Sequence, residues 1–405
     1  MASGTGRGLF VLALLAFASL GLPDGTLGVA WPSMRASFDL APSRLGSLLA
    51  TAMAGYLLSS FASGPVAARL GVGRLLLWST LTVVASQAAV AAAPAWEAVV
   101  AAGLLVGLGA GGIDAGINAY AAARFPARLV TWLHGAYGLG AMLGPLALTA
   151  VLGAGLGWRA GYALVGAALA AMAVAFRLTL DRWSEAPPAA GGPAPGPAPA
   201  LAATLRRPLV AGHAALFFLY TGLEVAAGQW AYSLLGEGRG VPPAVAGLCT
   251  SAYWASLAAG RIAAGFLARR WPPETVLRAA MAAAPAGAGL LWADLGTVAS
   301  GLALAGLGLC FAPIFPLLIA ATPARIGPAH APNAIGLQVA AAYVGAAALP
   351  GLAGVLATAH GLEAIAPLLL AGALALPLAH EAVAMAAAPG RRLSGVPARS
   401  ARPRP

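Results

Sequence analysis

Gly21-Leu22-Pro23-Asp24-Gly25-Thr26-Leu27-Gly28, with Trp31 beyond it, returns half a chain later as Thr221-Gly222-Leu223-Glu224-Val225-Ala226-Ala227-Gly228, with Trp230 beyond. Each stretch places one carboxylate inside an apolar run, and Arg7 and Arg207 precede Asp24 and Glu224 by the same interval. A carboxylate at membrane depth is costly unless it is protonated, paired or turned to water. A chain that duplicates such a segment is organised to move something across a bilayer.

Composition agrees. Of 405 residues 60% are hydrophobic and only 9% charged, against roughly 25% charged in soluble domains. Most of this surface must face lipid. Apolar runs of about 20 residues predict twelve transmembrane helices near 8–31, 46–67, 75–95, 98–121, 129–153, 158–179, 208–234, 244–267, 276–294, 297–321, 334–357 and 362–386. The fold class expected is an all-α membrane protein with two pseudo-symmetric six-helix halves.

The net charge of +11 comes from arginine alone. With the N-terminus in the cytoplasm, all but Arg35, Arg44, Arg159 and Arg239 fall on the cytoplasmic side or at that end of a helix, which predicts both termini inside. The basic excess is thus an orientation signal, and no nucleic-acid partner is expected. The arginine-only, alanine-rich bias suggests a bacterial inner-membrane protein. Cys249 and Cys310 fall within spans and read as small packing residues.

Four segments follow. Residues 1–180 form the first half and 208–388 the second. Between them, 181–207 carry Pro187, Pro188, Pro193, Pro195, Pro197 and Pro199 and read as a cytoplasmic linker. Residues 389–405 form a basic tail. The repeat extends beyond the acids: Gly46, Gly64 and Arg69 return as Gly247, Gly265 and Arg270, and Gly107-Leu108-Gly109 returns as Gly306-Leu307-Gly308. Six helices per half is an even number, so the halves enter the membrane in the same direction and the site belongs between them.

On these residues the chain resembles the major facilitator superfamily. The loop Gly64-Pro65-Val66-Ala67-Ala68-Arg69-Leu70-Gly71-Val72-Gly73-Arg74 is similar to that superfamily's loop motif, with Ala68 in place of its acid, and Gly157-Trp158-Arg159 is also typical. Asp24-Gly25, Gly55-Tyr56, Asp114-Ala115-Gly116-Ile117-Asn118, Leu133-His134 and Tyr220-Thr221-Gly222-Leu223-Glu224 resemble the fucose–proton symporter branch and its glucose-transporter relatives. That resemblance implies a role for Asp24 in solute recognition and coupling, and makes Asp114 the first candidate for the coupling proton.

The residues themselves support several roles. Pro23 predicts a kink or break beside Asp24, which leaves Asp24 either a functional acid or a cap on freed backbone donors. Asp114 and Asn118 share a helical face, and helix arithmetic puts Asn118 and His134 at the same depth, in one polar layer with Tyr137. Glu224, Gln229 and Trp230, with Tyr253, Trp254, Gln338 and Tyr343, form a polar-aromatic set suited to a hydroxylated solute. Trp230 read alone also fits an interfacial belt, His134 a packing residue, and Gln338 a helix bridge. Asp114, Asp24 and Glu224 are the proton-coupling candidates, with sodium the alternative ion.

The function expected is therefore a secondary transporter of the symport type for a small hydroxylated solute such as a sugar, working as a monomer in the lipid bilayer. A proton-driven exporter of drugs or metabolites is the rival. An enzyme or a receptor is remote: neither a cofactor site nor a metal-ligand spacing is visible.

Overall fold

The computed structural model describes residues 4–125, 127–183 and 199–387, and these are helical apart from short connections. Lipid offers the backbone no hydrogen bonds, so each crossing segment must satisfy its own, as a helix does. The helices are α1 (Gly4–Ser37), α2 (Leu45–Leu70), α3 (Val72–Ala92), α4 (Trp96–Arg124), α5 (Ala127–Gly153) and α6 (Gly157–Leu178), then a short α7 (Leu201–Leu205). After it come α8 (Pro208–Ser233), α9 (Pro243–Leu267), α10 (Pro273–Trp292), α11 (Thr297–Phe311), α12 (Ile314–Ile326), α13 (Ala331–His360) and α14 (Ile365–Ala387).

Eleven spans are long and apolar enough to cross a membrane, with α11 and α12 counted together. The eighth expected span, α9, is 25 residues long but is not among them. Its apolar residues are diluted by Thr250, Ser251, Ser256 and Arg261, so it carries a polar face into the bundle.

One expectation about proline and one span boundary are corrected. Pro23 neither breaks nor ends α1, which runs unbroken through it and through Pro32. The break comes instead in the tenth span, where α11 ends at Phe311 and α12 starts after Pro313, so the span reaches Ile326 rather than residue 321.

The packing scheme occurs twice. Among α1–α6, α1 packs on α5, α2 on α4, and α3 on both α4 and α6. Among the later helices α8 packs on α13, α9 on α11, and α10 on both α11 and α14. Lipid tails are as apolar as leucine, so such pairs depend on close backbone approach. A Cβ on Gly107 would strike the Ala52 carbonyl oxygen at 1.8 Å, and one on Gly308 the Tyr253 carbonyl oxygen at 2.5 Å. The structural counterpart of Gly107 is thus Gly308, two residues beyond the match read from Gly-Leu-Gly.

Among the contacts that join the two groups are those of α1 with α8, α2 with α13 and α5 with α9. At the first, Gly28 crosses α8 at Gly228 and Gln229, where an added Cβ would lie 2.9 Å from the Gln229 carbonyl oxygen. The near end of the bundle is where α1 begins, and the far end where it finishes. At the far end Arg35 pairs with Glu237 at 2.7 Å, and the Ser43 N–H donates to Thr358 Oγ1 at 3.0 Å.

Charge is unequal at the near end. Among the later helices Glu274 pairs with Arg325, and Arg278 with Glu381 at 2.6 Å. In the matching loop of the first group Ala68 is exposed, and Gly71 makes the turn at φ 81°. Residues 184–198 of the expected linker and the whole tail lie outside the described residues. Its described flanks are docked: Trp183 is buried against Tyr120 and Phe176, and Asn333 donates to the Pro199 carbonyl at 2.9 Å.

Candidate functional site

Small residues let α1 and α5 touch, and that contact brings the Tyr137 hydroxyl to Asp24 Oδ2 at 2.7 Å. The Asp24 carboxylate is therefore held by a side chain of another helix and does not cap a helix break. Gln229 Nε2 of α8 donates to the Asp24 carbonyl oxygen at 2.9 Å. Asp24 is accessible although it lies mid-helix, and beside it Ser19, Pro23, Ile113 and Leu169 line a cavity of about 20 Å³, room for about one water. Asp24 and Glu224 each lie one turn from the Gly28–Gly228 crossing, toward the near end.

Glu224 is buried. Arg261 of α9 donates through one Nη2 to Oε1 at 3.0 Å and Oε2 at 3.2 Å, and the Tyr220 hydroxyl donates to Oε2. Tyr253 donates to the Glu224 carbonyl oxygen at 2.6 Å. Trp254 lies directly over Gly228, where a Cβ would come within 2.3 Å of the indole. The indole N–H of Trp254 and the side-chain oxygen of Gln229 are buried without hydrogen-bond partners.

Among the described residues the third acid pairs with no cation. Asp114 Oδ2 accepts from Tyr56 of α2 at 2.5 Å, and Oδ1 accepts from Asn118 at 2.9 Å. Tyr343 of α13 donates in turn to the Tyr56 hydroxyl, with the two rings 3.9 Å apart.

Other candidates fall elsewhere. Asn118 and His134, expected in one polar layer, each have a separate partner among the described residues. Asn118 is taken up by Asp114, while His134 stands edge-on to Phe17 at 5.2 Å. Trp230 is no belt residue: it is buried, and its indole N–H donates to the Pro350 carbonyl at 2.9 Å, tying α8 to α13. Gln338 is buried and accepts from Thr322 at 3.0 Å, bridging α12 and α13. Arg261 is the residue that sequence reasoning missed. An arginine inside an apolar span was itself the signal.

Residues 9–350 match the family model described as Major Facilitator Superfamily. No curated protein sequence matches the chain. Among solved structures, a variant of the nucleoside transporter NupG superposes with a TM-score of 0.77 at 15% identity, covering 92% of this chain and 98% of that one. A bacterial homologue of the human lysosomal transporter Spinster, inward-facing and unoccupied, gives 0.72 at 17% identity over 95% and 98%. The major facilitator transporter FucP, in the outward conformation, gives 0.63 at 14% identity over 94% and 99%. At these identities the likeness is one of fold.

Proposed function

Because the chain belongs to the Major Facilitator Superfamily, a family of membrane transporters, we propose that it is a proton-coupled symporter of a small hydroxylated solute such as a sugar, working by alternating access between its two halves. Residues 1–180 and 208–388 are those halves in this reading, with α9 the twelfth crossing and 181–207 the linker. The protein acts as a single chain in a bacterial inner membrane with both termini in the cytoplasm, the orientation its arginines favour.

The observation that carries the reading is the separation of two kinds of acid. Glu224 is neutralised by Arg261; protonating it would strand a buried cation. Among the described residues Asp114 is hydrogen-bonded by Tyr56 and Asn118 and paired with no cation, so taking up a proton removes a charge and strands no cation. Asp114 is the proton carrier. Asp24, held by Tyr137 and beside the orphaned Gln229 oxygen and Trp254 N–H, binds the solute. A hydroxyl, both donor and acceptor, matches that pair.

Vesicles loaded with a pH-sensitive dye test this. Adding hexoses, deoxyhexoses or nucleosides one at a time to wild-type vesicles should acidify the lumen for the transported solute. Asp114→Asn should abolish that signal and retain counterflow exchange, since an amide mimics the loaded acid but releases no proton. Alkalinisation on addition of the solute would mark the exporter instead. A signal that follows a sodium gradient and ignores pH would replace the proton.

A further inference from the structure

We infer that Tyr56 and Tyr343 are positioning residues that carry the protonation state of Asp114 across the boundary between the two helix groups. This rests on the proton-carrier role proposed for Asp114, and adds the path by which a proton in one half would alter the contact between halves.

The geometry is a directed chain. Tyr343 of α13 donates to the Tyr56 hydroxyl, and Tyr56 of α2 donates to Asp114 Oδ2 of α4 at 2.5 Å. Each hydroxyl has one proton to give, so both point toward the carboxylate. Hydrogen bonds that end on an ionised group are roughly twice as strong as neutral ones. With Asp114 ionised, α13 is fastened through Tyr56 to a charge on α4. When a proton arrives on Oδ2, that oxygen becomes a donor facing the Tyr56 proton. Tyr56 must then turn its proton toward Tyr343, whose own proton must turn away in its turn. The chain reverses or opens. No proton is lost from either tyrosine, and the contact between α2 and α13 no longer ends on an anion.

The location suits a switch. Contact between α2 and α13 is among those that join the two groups. Toward the far end it is made by Gly46 against Gly351, about 15 Å along α2 from Tyr56. At the α5–α9 contact Gly138 meets Ala258, and a Cβ on Gly247 would meet Thr149 Oγ1 at 2.1 Å. At the α2–α13 contact the chain of hydroxyls ends on the Asp114 carboxylate. Ring stacking at 3.9 Å holds the helices together regardless of charge, so the hydroxyls are free to report.

Other titratable and charged groups come from the neighbouring elements, and of these Asp24 of α1 and Arg261 of α9 act on Tyr343 through space. Asp24 of α1 is held by Tyr137 of α5, Glu224 of α8 by Arg261 of α9, and His134 of α5 faces Phe17. From α3 the nearest polar side chain over α4 is Ser79, which packs at Gly112 and does not titrate.

The test measures the α2–α13 distance directly. In a Cys249→Ser, Cys310→Ser background, spin labels attached through Ala68→Cys and Gly336→Cys report that distance by electron–electron resonance in liposomes. In the parent protein, lowering the pH from about 8 to about 5 should move the population toward longer distances by about tenfold, the difference between a charge-assisted and a neutral bond. Asp114→Asn should hold the long population at every pH. Tyr343→Phe and Tyr56→Phe keep the ring contact and should lose the pH response. A parent distance that ignores pH overturns the inference, and so does a Tyr343→Phe protein that still responds. If dye-loaded vesicles show no proton flux but the distance responds to pH through Tyr343, the transport reading fails and the chain stands.

Discussion

Asp114 and Glu224 both lie within the helix bundle, and each accepts a hydrogen bond from a tyrosine; only Glu224 has a cation. Around Glu224 the tyrosine is on the same helix and Arg261 spans to the next, which ties α8 to α9 within one group. Around Asp114 the tyrosine is on another helix and leads out of the group altogether, to Tyr343. The difference separates two uses of a buried acid. One is a fixed joint whose charge is cancelled on the spot. The other is a charge whose presence or absence can be felt elsewhere.

The largest effect should follow from breaking the fixed joint. Arg261→Leu leaves Glu224 buried and uncompensated, which costs about 3–5 kcal/mol and should show as a marked fall in thermal stability in detergent. Arg261→Leu combined with Glu224→Gln removes both charges and should recover most of the loss. If the single variant melts with the wild type, the pair is not a joint.

A smaller effect is expected at Asp24, the acid between these extremes. Its carboxylate has one direct donor, Tyr137, and remains accessible. Tyr137→Phe should cost about 1–2 kcal/mol, read as roughly tenfold weaker binding in a solute titration, with stability little changed. Unaltered affinity would move solute recognition away from Asp24.

Smallest is the far-end pair, Arg35 with Glu237, whose side chains are 27% and 33% exposed. Water already screens such a pair, so Glu237→Gln should change stability by less than about 1 kcal/mol. Moderate salt should produce a similar change in the wild type. A loss as large as that at Arg261 would show that burial is not what distinguishes the two.

Much of this could be read from the chain, for reasons that differ by residue. The spans were legible because lipid demands long apolar runs, and α9 was legible as a helix, although its hydropathy leaves it outside the eleven membrane-crossing spans found among the described residues. Proline was not legible as a breaker. Pro23 is carried inside α1, whereas the tenth span parts at Ala312 and Pro313. Neighbouring helices re-satisfy freed backbone groups in some places and not others. The partners of Asn118 and His134 were not legible, because position along a helix gives depth but no direction around the axis. Arg261 was missed because it stands about 9 Å from the end of α9, close enough to be counted among charges that orient the protein. Its partner, 37 positions earlier, becomes visible only when α8 and α9 are packed.

The crossing of α1 and α8 at Gly28 and Gly228 has a mechanical consequence. Backbone rests on backbone at Gly28, which gives the helices a close pivot, as on a fulcrum, tethered by the hydrogen bond from Gln229 to the Asp24 carbonyl. From Gly28 to the far end of α1 at Ser37 is an arm of about 14 Å, and to Gly8 near its start an arm of about 30 Å. A rocking motion about this point would swing the near end roughly twice as far as the far end. Asp24 and Glu224, about 6 Å from the fulcrum, would hardly travel. A solute held between them would stay in place while the walls around it tilt.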